Sequence, residues 1–306
     1  MKSYSHLTPQ AADFLKVKDN MVQRIALVTD STCDIPQGWR DEYEISVVPL
    51  TIIMGEQQYL DGVNLTGKQF YEMLASNPAT NPSTSQPSPQ TFLDVYRGLA
   101  AAGAEQIVVF TISAAMSGTI ASARQAAADA GIPVEVQNSC NNSMGLGWQV
   151  LAAARARQMG GGLSEMLAAA QAVRENMVYY ISLDTIDYLS RGGRIAEAAR
   201  FLNSVLNIKP LIFVRADKGT VAPGIPARSR KSALEGLYKE FFRHVDGGRP
   251  LHIAVMHNNA PDEAQELADR VKKEYAPKEM VVGIPSPVLG AHTGPRAVAL
   301  CGYAEM

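Results

Sequence analysis

Gln106 to Ile112 reads QIVVFTI, a run without a single charge, and the chain then passes through Ser113-Ala114-Ala115-Met116-Ser117-Gly118-Thr119 into the alanine-rich IASARQAAADA. A continuous apolar run closed by small hydroxyl residues and followed by helix formers reads as a buried strand, a loop and a helix. The same order recurs nearby. Arg24 to Thr29 (RIALVT) is closed by Asp30-Ser31-Thr32, Ser46 to Ile53 (SVVPLTII) reads as a strand, and Val134 to Gln137 leads through a glycine-containing turn into a helix over 142–157. Thr66 with Gln69 three residues on forms a capping box ahead of a further helix. Strands alternating with helices predict an α/β domain with a mainly parallel sheet. Its ligand site belongs at the carboxyl ends of the strands, where the loops after RIALVT and QIVVFTI sit.

Gly160-Gly161-Gly162 reads as a helix stop and a boundary. The expected organisation is an extension over 1–23, an N-terminal α/β domain over 24–162 and a C-terminal α/β domain over 163–306. In the second unit Met177 to Leu183 is a strand, and Ile195 to Leu206 places its apolar residues on one helical face. Leu211 to Val214 and Thr220-Val221 flank the turn Asp217-Lys218-Gly219 as a hairpin, and Ser229 to Val245 is a helix. Leu251 to Met256, Asp262 to Tyr275 and Met280 to Ile284 form a βαβ-like unit that ends in the loop PSPVLGAHTGPRAV.

Composition excludes several classes. With 28 basic and 30 acidic residues the formal net charge is −2, so no general field recruits nucleic acid or an acidic membrane. Cys33, Cys140 and Cys301 are widely spaced and odd in number, which fits a reducing cytoplasm and neither a disulfide framework nor a zinc site. No apolar run approaches the roughly 20 residues that span a bilayer. The first residues lack the apolar centre of a signal peptide and read as an extension, with Met21 a candidate start of the folded unit.

Candidate chemistry lies in three loops of hydroxyls, glycine and proline: Thr84-Ser85 within NPSTSQPSPQ (81–90), Ser117-Gly118-Thr119, and His292-Thr293-Gly294. Small hydroxyl residues at helix starts present O–H and N–H groups that hold a carboxylate or phosphate, and glycine permits close backbone approach. Capping and turn formation explain each loop taken singly. Ser88-Pro89 starts a helix, so the proline-rich stretch reads as an ordered loop and not as a linker. Ser31 follows the first strand at the same edge. Arg191 and Arg194 in SRGGR, and Arg228 and Arg230 in RSRK, cluster at helix starts, where the macrodipole disfavours cations. An external anion or simple solvation accounts for them. There is no phosphate-binding glycine loop, no HExxH and no GxSxG, and no metal or cofactor is expected.

TDSTCDIP (29–36), TSQPSP from Thr84, SGT at Ser117, SMGLG from Ser143, YLSRGGRI from Tyr188, LNIKP from Leu206, RSRKSAL from Arg228 and AHTGP from Ala291 resemble, in order, the motifs of the DegV family. The resemblance runs from about Arg24 to Arg296. It implies two α/β domains, the second with a mixed sheet, and a fatty acid between them. The carboxylate would be held by Thr84, Ser85, Ser117, Gly118, Thr119, His292, Thr293 and Gly294, and the chain by an apolar tunnel. It further implies a lipid carrier rather than an enzyme, presenting the acid to an ATP-binding kinase subunit that forms an acyl phosphate, with Arg191, Arg194, Arg228 and Arg230 facing that partner. Cys33, Asn138 to Asn142 (NSCNN) and Arg296, where the family usually has glycine, depart from the pattern. Two other readings stand beside it: a hydrolase or phosphotransferase using Ser117 or Thr84 with His292 as base and Asp30 as orienter, and a sugar-phosphate sensor.

Overall fold

The computed structural model describes residues 24–77, 80–194 and 208–306; the extension over 1–23 and the helix expected over Ile195 to Leu206 lie outside them. Strand β1 (Ile25–Asp30) ends in a 3-10 turn over Ser31–Cys33, and a short α1 (Gln37–Glu42) returns the chain to β2 (Ile45–Val48). Pro49 ends β2 because it has no N–H for a ladder. The single strand expected over SVVPLTII is therefore two. β2 pairs with β1, whereas β3 (Thr51–Met54) pairs antiparallel with β4 (Gln57–Leu60) in a small separate sheet.

Helix α2 (Gly67–Ser76) carries the expected capping box, with Gln69 N donating to Thr66 Oγ1 at 3.3 Å and Thr66 N donating to Gln69 Oε1 at 2.9 Å. The proline-rich stretch is more than a loop: Ser83–Ser85 is β5, the third strand of the small sheet, with Thr84 opposite Ile52. Ser88 Oγ accepts from Thr91 N at 3.1 Å, and Pro89 opens α3 (Pro89–Ala101). Next come β6 (Gln106–Thr111), α4 (Thr119–Ala127) and β7 (Val134–Asn138), completing a four-stranded parallel sheet in the order β2-β1-β6-β7. Phe92, Tyr96, Ile120 and Ala123 on α3 and α4 cover one face of it, over Val28 and Val109.

The other face is taken by α5 (Ser143–Gln158), whose first nine residues are all buried. A helix buried on every side needs cover on every side. β1 and β6 provide it below, and a strand of the second sheet provides it above. Trp148 shows the result: its ring lies 5.8 Å from Trp39 and 5.5 Å from His252, one from each half of the chain. Gly160, at φ +87°, sits just past the end of α5, and α6 (Leu163–Glu175) packs back along it.

The second half holds β8 (Val178–Ser182), α7 (Asp187–Arg191), β9 (Leu211–Val214), β10 (Val221–Pro223), α8 (Arg230–His244), β11 (Leu251–His257), α9 (Pro261–Tyr275), β12 (Glu279–Gly283), α10 (Pro287–Thr293) and β13 (Val298–Ala304). Its six strands run β10-β9-β8-β13-β11-β12, parallel only between β11 and β12. Leu237 and Phe241 of α8 with Leu267 and Val271 of α9 cover the outer face. The chain thus forms two α/β domains, the first on a parallel sheet and the second on a mixed one. No described helix is long and apolar enough to cross a membrane.

The C-terminal stretch departs most from the sequence reading. The loop PSPVLGAHTGPRAV contains α10, and its last residue starts β13, which fills the centre of the second sheet between β8 and β11. All seven residues of β13 are buried. Gly302 in this strand leaves no space for a side chain, since a Cβ there would overlap the carbonyl oxygen of His252. Gly302→Ala is expected to lower stability by about 1–3 kcal/mol, measured as a lower urea midpoint at unchanged slope.

Candidate ligand-binding site

Between the two domains lies a cavity of about 460 Å³, within the size range of small-molecule sites. Its walls are apolar: Ile112 and Met116 from the loop after β6, Leu289 from α10, and Ile181, Met256 and Ala299 from the second sheet. Among the polar side chains that enter it are those of the three predicted loops, with Thr84, Ser85 and Gln86 at β5, Ser117 before α4, and His292 and Thr293 at the end of α10. The site therefore lies at the carboxyl edge of β6, as an α/β sheet requires.

Thr84 Oγ1 is 2.9 Å from His292 Nε2. The other ring nitrogen, Nδ1, is buried without a partner and packs on Gly192, where a Cβ would overlap it. Gly294 does the same for Tyr188, whose ring occupies the space of a Cβ at φ +71°. The glycines of RGGR and HTG thus interlock α7 with α10, each making room for an aromatic ring of the other segment. Burial, aided by the positive Arg194, pushes the imidazole of His292 down to about 4. It is neutral at physiological pH.

The remaining predicted residues divide by position. Ser117 lines the cavity and shares a 2.9 Å hydrogen bond with Thr119 Oγ1, while Thr119 N donates to Ser117 Oγ at 3.3 Å. Thr119 is fully buried behind it and acts as its anchor. Gly118 leaves room for the Gln86 amide, which donates to Ser122 Oγ at 3.0 Å. The place of its missing side chain is taken by Gln86. Thr293 Oγ1 donates to Leu289 O at 2.8 Å and accepts from Asn258 Nδ2 at 2.7 Å. Ser31 does not line the cavity; it donates to Asp61 at 2.7 Å and accepts from Leu50 N at 3.0 Å.

Among the arginines, Arg194 borders the cavity and donates to Met116 O at 3.2 Å and Gly192 O at 2.6 Å. Arg191 lies over the Tyr188 ring at 4.7 Å and donates to Asn81 at 2.6 Å. Both line a recess of about 270 Å³ that adjoins Thr84 and His292. Arg230 instead pairs through two nitrogens with Glu263 at 2.9 and 2.6 Å, so an internal carboxylate answers the cation at that helix start. Arg296, at φ +62° where glycine is favoured, also reaches Glu263 at 3.4 Å. Arg228 is exposed.

Sequence reasoning missed Gln86, Asn142 and Asn258 at the cavity, and a cluster of buried carboxylates beside it. Asp34 accepts from Ser286 N at 2.8 Å and from Ser143 Oγ at 2.5 Å; Asp61 accepts from Ser31 and from the Ser286 hydroxyl. Burial pushes Asp34 up to about 8 and Asp61 up to about 6. Asp30 accepts from Thr32 N at 3.0 Å and Ile112 N at 2.7 Å, which closes the loop under the cavity. The repeated aspartates of TDSTCD were the available signal. Asp30 therefore does not orient His292, so the hydroxyl–imidazole pair lacks the third member of a hydrolytic triad. No group of three metal-ligating side chains occurs among the described residues.

An apolar cavity bordered by hydroxyls and a neutral imidazole, set between two α/β domains, has the chemistry of a site for an amphiphilic small molecule. The profile described as "Uncharacterised protein, DegV family" matches residues 24–305, and the chain belongs to the DegV family. A DegV domain-containing protein of Streptomyces coelicolor is 36% identical over 277 residues, covering 90% of this chain and 96% of that one. The DegV protein of Bacillus subtilis is 29% identical, covering 90% of this chain and 98% of its own. Among solved structures, a fatty-acid-binding DegV family protein of Thermus thermophilus superposes with a TM-score of 0.85 at 31% identity, over 92% of this chain and 100% of its own. DegV of Bacillus subtilis, a fatty acid binding protein, gives 0.84 at 26% identity, over 92% and 100%.

The neutral state of His292 has a measurable signature. An unfolded histidine titrates near 6.5 and the folded one at about 4, so between these values the unfolded chain binds more protons. Stability from this residue is complete above 6.5 and is lost as pH falls toward 4. The imidazole C–H resonance of His292 is expected to titrate well below that of an exposed histidine, and His292→Asn to remove this contribution to the acid slope of stability.

Proposed function

We propose that this chain binds a long-chain fatty acid, with the carboxylate at Thr84, Ser85, Ser117, His292 and Thr293 and the acyl chain in the apolar cavity. The observation that carries this reading is the make-up of the cavity: apolar side chains from the second sheet, the loop after β6 and α10, joined by hydroxyls and an imidazole of the three loops, with Thr84 Oγ1 2.9 Å from His292 Nε2. The fatty-acid-binding relatives of the same fold support it. Burying a methylene contributes about 0.8 kcal/mol, so a long chain offers on the order of 10 kcal/mol before ordering costs. The hydroxyls then select a carboxylate, and Arg194 supplies the nearest positive charge.

The acid would be handed to an ATP-binding kinase subunit and phosphorylated there, this chain acting as carrier and not as enzyme. The recess beside His292, lined by Arg191 and Arg194, is where a phosphoryl group would arrive next to the carboxylate. Guanidinium groups suit phosphate oxygens by geometry and charge. Arg228, exposed at the start of α8, is available to the same partner.

Mass spectrometry of molecules released by denaturing the purified protein is expected to show a fatty acid at one per chain. Thr84→Ala and His292→Ala each remove a hydrogen bond to a charged group, worth about 1.5–3 kcal/mol, and are expected to weaken binding of palmitic acid roughly tenfold to a hundredfold. An empty wild-type protein, or one carrying a polar phosphate, would overturn the reading. Arg191→Ala is expected to keep the acid and to slow acyl-phosphate formation when an ATP-binding kinase subunit is supplied.

A further inference from the structure

Resting on the fatty-acid reading, we infer that Tyr179 is the stop of the acyl tunnel and sets the longest chain this protein accepts. The register of the second sheet locates it. β8 leaves the sheet at Ser182 toward α7, and β13 enters at Val298 from α10, so the pair Ser182–Val298 marks the head-group edge. Next comes a row running straight across four strands: Ile212, Ile181, Ala299 and Met256. All four line the cavity.

The following row lies two residues deeper, about 7 Å farther from the head group. It contains Tyr179 opposite Cys301, and Cys301 opposite Ala254. Tyr179 lines the cavity; Cys301 and Ala254 are fully buried and do not. Cys301 Sγ lies 3.7 Å from Met177 Sδ, a contact between two buried side chains. The small Ala297 and Ala299 line the cavity nearer the head-group edge, and Tyr179 is the deepest residue of β8 to line it.

Tyr179 is also enclosed: it is buried, on a strand paired on both sides by β9 and β13. A ring so enclosed excludes a longer tail instead of turning aside for it.

The test is competition binding of straight-chain saturated acids from lauric to arachidic to the full chain, with mass spectrometry of the acids that co-purify. Wild-type affinity is expected to rise about fourfold per added methylene, then fall beyond one length. Tyr179→Leu is expected to move that limit to longer chains, and Tyr179→Phe, which keeps the ring, to leave it in place. An unmoved limit in a folded Tyr179→Leu protein that still holds fatty acid would overturn the stop while leaving the fatty-acid reading intact. Should that variant fail to fold, a wild type with no upper limit would overturn the stop equally. No binding of any of these acids to wild type, and none co-purifying, would overturn the fatty-acid reading itself.

Discussion

Ser286 is gripped by two carboxylates that come from the other domain, and much of the site follows from that grip. Asp34 accepts its N–H and Asp61 accepts its hydroxyl. A carboxyl group away from water is costly unless its oxygens are occupied; Ser286 N occupies Asp34 Oδ1 and the Ser286 hydroxyl shares Asp61 Oδ2 with Ser31, so release of Ser286 would leave Asp34 Oδ1 unpaired. Because α10 begins at the next residue, the grip fixes where that helix starts and, about 10 Å along it, where His292 emerges. The same Asp34 holds Ser143, the first residue of α5, so the start of the helix buried between the two sheets and the start of the helix behind the head group share one anchor.

The interlock of α7 and α10 is the complementary constraint at the opposite end of α10. Gly192 and Gly294 are each the space into which a ring from the other segment fits. The consequence for His292 is desolvation on its Nδ1 side, which keeps the imidazole neutral and leaves Nε2 as the nitrogen free to engage Thr84 or a carboxylate. The positive charge that borders the cavity is therefore that of Arg194.

Local signals in the sequence read well where they are enforced by neighbours in the chain. Ser88 with Pro89, Thr66 with Gln69, and the apolar runs of β1, β6, β8 and β11 all form as their residues dictate, and the three hydroxyl loops do meet at one cavity. Features decided by distant partners did not read. VALCGYA was not read as a strand, because nothing local says that β8 and β11 leave a gap for it. Gly118 and Gly294 looked like places for close backbone approach, whereas Gln86 and Tyr188, remote in sequence, claim that space. Arg230 looked like a cation awaiting an external anion, and Glu263 on a later helix pairs with it. Asp34 of TDSTCD carried no visible purpose until Ser143 and Ser286 were placed against it.

The order of synthesis gives the central position of β13 a further meaning. A ribosome delivers this strand after every other described strand, yet β8 and β11 touch only through it. Until it arrives, the second domain is two ribbons with open edges, the kind of intermediate that invites mispairing. Ala297, Ala299 and His292 arrive in the same final segment, so the nascent chain has no cavity to fill while it is being made. Whatever occupies the cavity can enter only after this last stretch of chain has slid into the middle of its sheet.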